Sequence, residues 1–295
     1  MDPLVVLFGL GVGLLVGLTG IGGGSLMTPL LILVAGYSPL VAIGTDLAYG
    51  AVTKTVGGYR VWRQGLVDMR LSMWMAGGSV PGSLLGVWSV DRLHASYGDD
   101  FQPALLGALA VALLLVAAAV LFRAFFMPEH VAQERESADL EGRRRAATVA
   151  IGFVLGFILG LTSVGSGALI GLALILFFKL SPRRVVGTDV FHAAVLLWTA
   201  GIAHWVGGNV DFGLMGTILL GSIPGVWIGT GLLGKVPVDG LRPALGVVLF
   251  AAALGVLSKA GVDLPIGALV GLPLCLGIGV WVLHRSRAGD KALLT

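Results

Sequence analysis

Two short stretches of this chain gather residue types that can hold an anion without carrying charge. The first is GLTGIGGGS, residues 17–25, where Gly17, Gly20, Gly22, Gly23 and Gly24 lie among the hydroxyls of Thr19 and Ser25. The second is GLTSVGSGA, residues 160–168, where Thr162, Ser163 and Ser166 surround Gly165 and Gly167. Clustered glycine weakens a helix. A helix that restarts after such a break presents unpaired N–H groups and a positive dipole end, which favour an anion. Neighbouring hydroxyls can donate to an oxyanion or bond back to freed carbonyls. The candidate ligands are Thr19, Gly22, Gly23, Gly24 and Ser25 in the first stretch, and Thr162, Ser163, Gly165, Ser166 and Gly167 in the second. Close helix packing is the competing use of the same glycines.

Five more polar residues stand in apolar surroundings. Asp46 and Asp189 each end a Gly-Thr-Asp triplet that follows a Ser-Pro pair. They suit helix capping, bracing between elements, or carriage of a coupling proton or cation. Tyr49 and His192 follow them by three residues, and an imidazole there could serve a proton-linked step or a plain interhelical hydrogen bond. Lys54 has no acid three or four positions away. It reads either as an anion ligand or as a side chain snorkelling to the interface. On one helix Asp46 and Lys54 would stand about 80° and about 12 Å apart, too far to touch. His204 and Trp205 fall near a helix end and read as an interfacial anchor.

The elements that must position these groups are membrane helices. Of 295 residues, 56% are hydrophobic and 12% charged, with mean hydropathy +0.96. A water-soluble domain carries about 25% charged residues, so this chain cannot cover a body exposed to water. Apolar runs of membrane length recur throughout, at 4–37, 40–61, 71–90, 104–126, 148–178, 185–206, 214–233, 243–257 and 264–283. The N-terminus shows no basic region of a cleaved signal peptide. Cys275 is the single cysteine, and no Cys/His cluster suggests a metal. The glycine stretches lack the context of a Rossmann fingerprint and the Gly-Lys-Ser/Thr of a P-loop. Ser166 sits in Gly-Ser-Gly with no matching base. No enzyme and no cofactor are expected.

The chain contains itself twice. Residues 17–86 align without a gap on 160–229, with 27 identical positions. GLTGIGGGSL matches GLTSVGSGAL, SPLVAIGTD matches SPRRVVGTD, and GGSVPGSLLG matches LGSIPGVWIG. A polar segment, 127–145, separates the copies. Basic residues in that segment, in loops 60–70 and 179–184, and in the tail 284–291 place all four in the cytoplasm; loops 91–100 and 203–213 read as external. The run 148–178 then begins and ends on one side. As a single helix it would be about 46 Å long, against a hydrocarbon core of about 30 Å, and it is broken midway. A re-entrant hairpin meets both facts, and the duplication extends it to 4–37; the rival is a kinked spanning helix.

The expected fold is therefore an all-α polytopic membrane protein of two inverted-topology repeats. Each repeat is a glycine-broken re-entrant hairpin plus about three transmembrane helices, and one extra C-terminal transmembrane helix follows. The expected divisions are a first repeat at 1–126, a cytoplasmic linker at 127–147, a second repeat at 148–257, and the extra helix with a cytoplasmic tail at 258–295.

GLTGIGGG, the following SP-x4-GTD and the later VD and PG, all recurring in the second copy, resemble the TauE/SafE sulfite exporter family, also called the toluene sulfonate uptake permeases. The resemblance covers nearly the whole chain. It implies a secondary transporter of the bacterial plasma membrane for sulfite or organosulfonates such as sulfoacetate or sulfolactate. Many relatives have Gly-Thr-Ser where this chain has Gly-Thr-Asp twice, and Lys54 is a further departure. The expected partners are a small anion and the lipid bilayer, with no nucleic acid and with oligomerisation left open. The expected mechanism is alternating access around the two breaks, with export favoured by an inside-negative potential. Coupled uptake, or a channel-like anion pathway, is the alternative.

Overall fold

The computed structural model describes residues 2–19, 23–126, 135–232 and 241–293. Eleven helices account for nearly all of these residues: α1 (Pro3–Thr19), α2 (Gly24–Leu33), α3 (Pro39–Arg63), α4 (Met69–Tyr97), α5 (Gln102–Phe126), α6 (Arg143–Thr162), α7 (Leu169–Leu176), α8 (Pro182–Val206), α9 (Phe212–Leu232), α10 (Leu241–Lys259) and α11 (Ile266–Leu293). A single 3-10 turn joins α4 to α5. There is no β-strand among the described residues, only one isolated bridge between Arg135 and Leu180. Six helical stretches are long and apolar enough to cross a membrane, and one of them, Met69–Phe126, contains both α4 and α5. The apolar surface faces outward, as lipid requires: Met73, Trp227 and Ile266 are exposed, while Ser79, Ser83, Thr188 and Ser222 are buried.

Local chemistry sets the boundaries, and it repeats. Ser38-Pro39 opens α3 and Ser181-Pro182 opens α8, with proline at a position whose missing N–H costs nothing. Both helices are 25 residues long. Asp68 caps α4 by accepting the Leu71 N–H at 3.0 Å, and Asp211 accepts the Leu214 N–H at 2.9 Å. The cross-links are paired as well. The Asp68 N–H donates to Thr188 Oγ1 at 2.9 Å, and the Asp211 N–H to Thr45 Oγ1 at 3.0 Å. α6 begins at Arg143, within the segment read as linker.

Glycine rows set the closest helix pairs. A β-carbon on Gly152, Gly156 or Gly160 of α6 would strike the carbonyls of Met75, Ser79 or Ser83 on α4. One on Gly78, Gly82 or Gly86 of α4 would strike those of Val149, Phe153 or Phe157. α1 and α9 repeat this contact through Gly9 and Gly13 against Ile218 and Ser222, and through Gly221, Gly225 and Gly229 against Val6, Leu10 and Leu14. Small residues let membrane helices approach to backbone contact, where packing and Cα–H···O contacts replace the hydrophobic effect. In both pairs the numbers rise together, so each pair is parallel.

These pairings fix which ends lie together. α3 and α8 cross antiparallel, Gly57 lying on Val190 and Gly201 on Ala48. Trp198 donates from Nε1 to its counterpart Thr55 at 2.7 Å. α6, parallel to α4, starts at the end where α3 finishes and α8 begins. α7 leads into α8 and so returns to that end. There the Ser181 N–H donates to the Arg135 carbonyl at 3.1 Å and the Ala138 N–H to Asp68 Oδ2 at 2.8 Å. By the same reasoning α1 starts, and α2 finishes, at the opposite end, where Asp2, Tyr37 and Asp211 line one cavity. Each helix–break–helix unit therefore begins and ends on one side of the bundle, the geometry of a hairpin rather than of a kinked span. α11 packs on α10, and none of its membrane-length core is buried.

Candidate functional site

The breaks themselves come first. Thr19 donates its hydroxyl to the Leu15 carbonyl and Thr162 to the Ile158 carbonyl, both at 2.7 Å. The single proton of each hydroxyl thus serves the last turn of its own helix, so in this conformation neither is a donor for an anion. Beyond Thr162 the chain turns sharply: Ser163 has φ 62°, Gly165 φ 125° and Gly167 φ 90°. Gly165 and Gly167 supply angles that L-residues rarely adopt. Ser163 is held left-handed as the C-cap of α6, its N–H on the Leu159 carbonyl at 2.7 Å. Of the first break, Gly22 lies outside the described residues. α2 restarts at Gly24 and α7 at Leu169.

The two breaks touch. A β-carbon on Gly24 would collide with the Ser163 carbonyl and come within 2.9 Å of Asp46 Oδ2 and 3.0 Å of Ser163 Oγ. Asp46 is the hub. Its Oδ2 accepts from Ser163 Oγ at 2.5 Å and from Thr28 Oγ1 at 2.6 Å. One bond comes from the second break and the other from the half-helix of the first, so Asp46 joins the repeats 117 positions apart in sequence. Asp46 Oδ1 and Ser25 Oγ are buried with no hydrogen-bond partner. The Tyr49 ring hydroxyl sits where a β-carbon on Gly23 would go.

Asp189 occupies the corresponding place at the second break. Its Oδ1 accepts the Gly167 N–H at 3.1 Å. It therefore holds the turn that precedes α7 and not the start of the helix that carries it, the bracing use rather than the cap after the Ser-Pro turn. Lys54 and Arg123 both lie within electrostatic reach of Asp189. Lys54 is only 7% exposed, and its Nζ is buried without a hydrogen-bond partner. Snorkelling would have placed that nitrogen at the surface, so this reading is overturned. Ser166 is buried beside the same break. Thr28, Asp46, Ser163 and Asp189 are each at most 3% exposed, so these groups of the junction are shielded from outside.

The remaining polar groups meet partners on neighbouring elements. His192 faces α4, Nδ1 at 3.3 Å from Ser72 Oγ and Nε2 at 3.1 Å from Ser79 Oγ. His204 is fully buried, not an interfacial anchor. Its Nε2 lies 3.1 Å from the Gly160 carbonyl and its Nδ1 3.3 Å from Asn209 Nδ2, which donates to Asp91 at 2.8 Å. Trp205 beside it is exposed and meets Phe212 edge-on. Sequence reasoning passed over Thr28 and Arg123. Thr28 carried a signal, standing one helical turn after Gly24 on a half-helix that must face the site. Arg123 carried none, since it reads as an ordinary basic residue closing a membrane helix.

An apolar helical bundle with two broken helices meeting at a buried polar junction has the architecture of a membrane transporter. Residues 5–257 match the family described as Sulfite exporter TauE/SafE, and the chain belongs to that family. It is 42% identical over 232 residues to the probable membrane transporter protein YjnA of Bacillus subtilis (strain 168), covering 79% of this chain and 90% of that one. It is 28% identical over 242 residues to the probable membrane transporter protein YdhB of the same organism, covering 82% and 94%. No solved structure gives a significant match. The protein is an integral membrane transporter and not an enzyme, and α11 lies beyond the matched region.

Proposed function

We propose that the protein exports a small sulfur-containing anion, sulfite or an organosulfonate, by alternating access around the two breaks. The observation that carries this reading is the contact of the breaks through Asp46, Ser163 and Gly24. A junction of buried polar groups between two repeats is where a carrier holds its cargo with neither side open. When one repeat rocks against the other, the Ser163–Asp46 bond parts and the two half-helix starts separate. Oxygen atoms of the cargo then take hydrogen bonds from Ser163, from Ser25 and from backbone N–H groups of the breaks, and the Lys54 ammonium supplies charge.

Direction follows from topology and potential. The end holding the finish of α3 and the starts of α4, α6 and α8 carries Arg63, Arg70, Arg144, Arg145, Arg183 and Arg184. The positive-inside rule supports a cytoplasmic assignment of that end, and with it a cytoplasmic end of α11 and halves of opposite orientation across a bacterial plasma membrane. An inside-negative potential then favours outward movement of an anion by about 2.3 kcal/mol per charge per 100 mV. The family's descriptive name agrees with this direction.

A second reading, coupled uptake, rests on the unpartnered Asp46 Oδ1. A buried carboxylate oxygen without a donor is costly, and a proton or a cation would satisfy it. A thermal-shift panel of the purified protein against sulfite, sulfoacetate, taurine, sulfate and thiosulfate tests the substrate class. Stabilisation by sulfite or a sulfonate well above that by chloride is expected; no stabilisation by any of the five contradicts it. A sodium- or proton-dependent shift would favour the coupled form.

A further inference from the structure

Helices α6 and α7 meet at the second break and part as they leave it. An apolar groove of about 410 Å³ lies between them, walled by Ile151, Val154 and Leu155 of α6 and by Leu172, Leu176 and Phe177 of α7. No charged, hydroxyl or amide side chain lines it, so it offers nothing to water or to a small anion. Val154, Leu176 and Phe177 are exposed, so the groove opens on the outer, lipid-facing surface of the bundle. Its end away from the break is cationic. Lys179 follows Phe177 by two residues. Arg143 stands on the grooved face of α6, two turns or about 10 Å before Ala150, which also lines the groove. Arg135 is tied to the same place: its N–H donates to the Lys179 carbonyl at 3.0 Å, and its carbonyl accepts the Ser181 N–H at 3.1 Å. Arg135, Arg143 and Lys179 are all exposed. The ion pairs at this end instead join Arg144 to Asp139 and Arg184 to Glu136, which leaves Glu141 as the one unpaired acid of the stretch 135–145.

We propose that this groove seats one phospholipid with an anionic headgroup: an acyl chain lies between α6 and α7, and the phosphate sits among Lys179, Arg143 and Arg135. The walls select hydrocarbon, because they carry no polar group to bond anything else. The mouth selects negative charge, with three exposed cations against one acid. A basic pocket between membrane helices at the headgroup level is the arrangement that holds anionic lipid. The groove faces the bilayer, so the lipid enters sideways from the surrounding leaflet without crossing a polar barrier. Its seat matters to the site above. Helix α7 is only eight residues long, and a helix that short keeps its place through packing rather than through its own hydrogen bonds. An acyl chain against Leu172, Leu176 and Phe177 supplies packing on the side that α6 leaves open. It thereby steadies the hairpin whose break carries Ser163 to Asp46.

The test is native mass spectrometry of the purified full-length protein, delipidated in detergent and then offered phosphatidylglycerol or phosphatidylcholine of equal chain length. Wild type should retain one phosphatidylglycerol in preference to phosphatidylcholine. Lys179→Gln and Arg143→Gln should each weaken that retention about fivefold, the effect of one basic residue near an anionic headgroup, and the double variant should lose most of the preference. Arg63→Gln, which removes an exposed charge at the same end but on α3, should bind like wild type. Val154→Trp fills the groove and should weaken binding of both lipids; Ala150→Leu serves if that variant does not fold. Phosphatidylglycerol should also raise the melting temperature of wild type more than that of the double variant. Glycerol 3-phosphate, a headgroup without chains, should not displace the lipid. Equal retention of the two lipids by wild type, undiminished phosphatidylglycerol in the double variant or in the filled groove, an equal rise in melting temperature, or displacement by glycerol 3-phosphate would each overturn the lipid seat.

Discussion

At the scale of single residues, position 24 is the tightest point of the site. An alanine β-carbon there meets the Ser163 backbone carbonyl, which cannot rotate away, together with the Asp46 carboxylate. At Gly11 a β-carbon meets nothing within 4 Å. Gly24→Ala should therefore lower the melting temperature and abolish flux, while Gly11→Ala leaves both unchanged; thermal unfolding in detergent reads the contrast. Thr28→Val keeps the shape but removes a donor from a buried carboxylate, an expected loss of about 1.5–3 kcal/mol. Both aspartates were legible in the sequence, because an acid repeated within two membrane-length runs must have a partner. The identity of the partner was not. Ser163 reaches Asp46 from the other repeat, and no periodicity within a helix reports a contact between repeats. Nor did the sequence separate the uses of the hydroxyls: Thr19 and Thr162 bond back to their own helices, while Ser163, next in line, bonds to a carboxylate.

At the scale of elements, most glycines pack helices and few belong to the breaks. The rows on α4 and α6 face carbonyls at every turn of the contact, so a larger side chain forces the pair apart. Gly156→Leu should destabilise the protein by about 1–3 kcal/mol or more and Gly77→Leu, which meets nothing within 4 Å, should have little effect; the midpoint of unfolding by heat or denaturant reports it. The duplication made the elements legible, since α3 at 39–63 and α8 at 182–206 begin and end at aligned positions. The length of the broken run 148–178 also exposed the hairpin. His204 was misread because its place near a helix end suggested an interface. Helix α6 passes close enough there to offer the Gly160 carbonyl and bury the ring. Which face of a helix meets another is a packing fact that hydropathy along one chain does not contain.

At the scale of the whole molecule, the swapped pairings of α1 with α9 and of α6 with α4, around the antiparallel crossing of α3 and α8, relate the two halves by an approximate two-fold. We propose that in a membrane the halves take opposite orientations. In a Cys275→Ser background, Asp100→Cys and Glu141→Cys, both exposed and at opposite ends, should react with an impermeant thiol reagent from opposite sides of the bilayer. Labelling of both from one side would sink the inverted arrangement. The central claim is that cargo passes as an anion through the junction of the breaks. Sulfite efflux from proteoliposomes, followed with and without an inside-negative potential, addresses it most directly. Saturable efflux that the potential accelerates, and that Gly24→Ala abolishes in correctly inserted protein, is the expected result. Efflux that fails to saturate, or that Gly24→Ala leaves unchanged, would contradict the account.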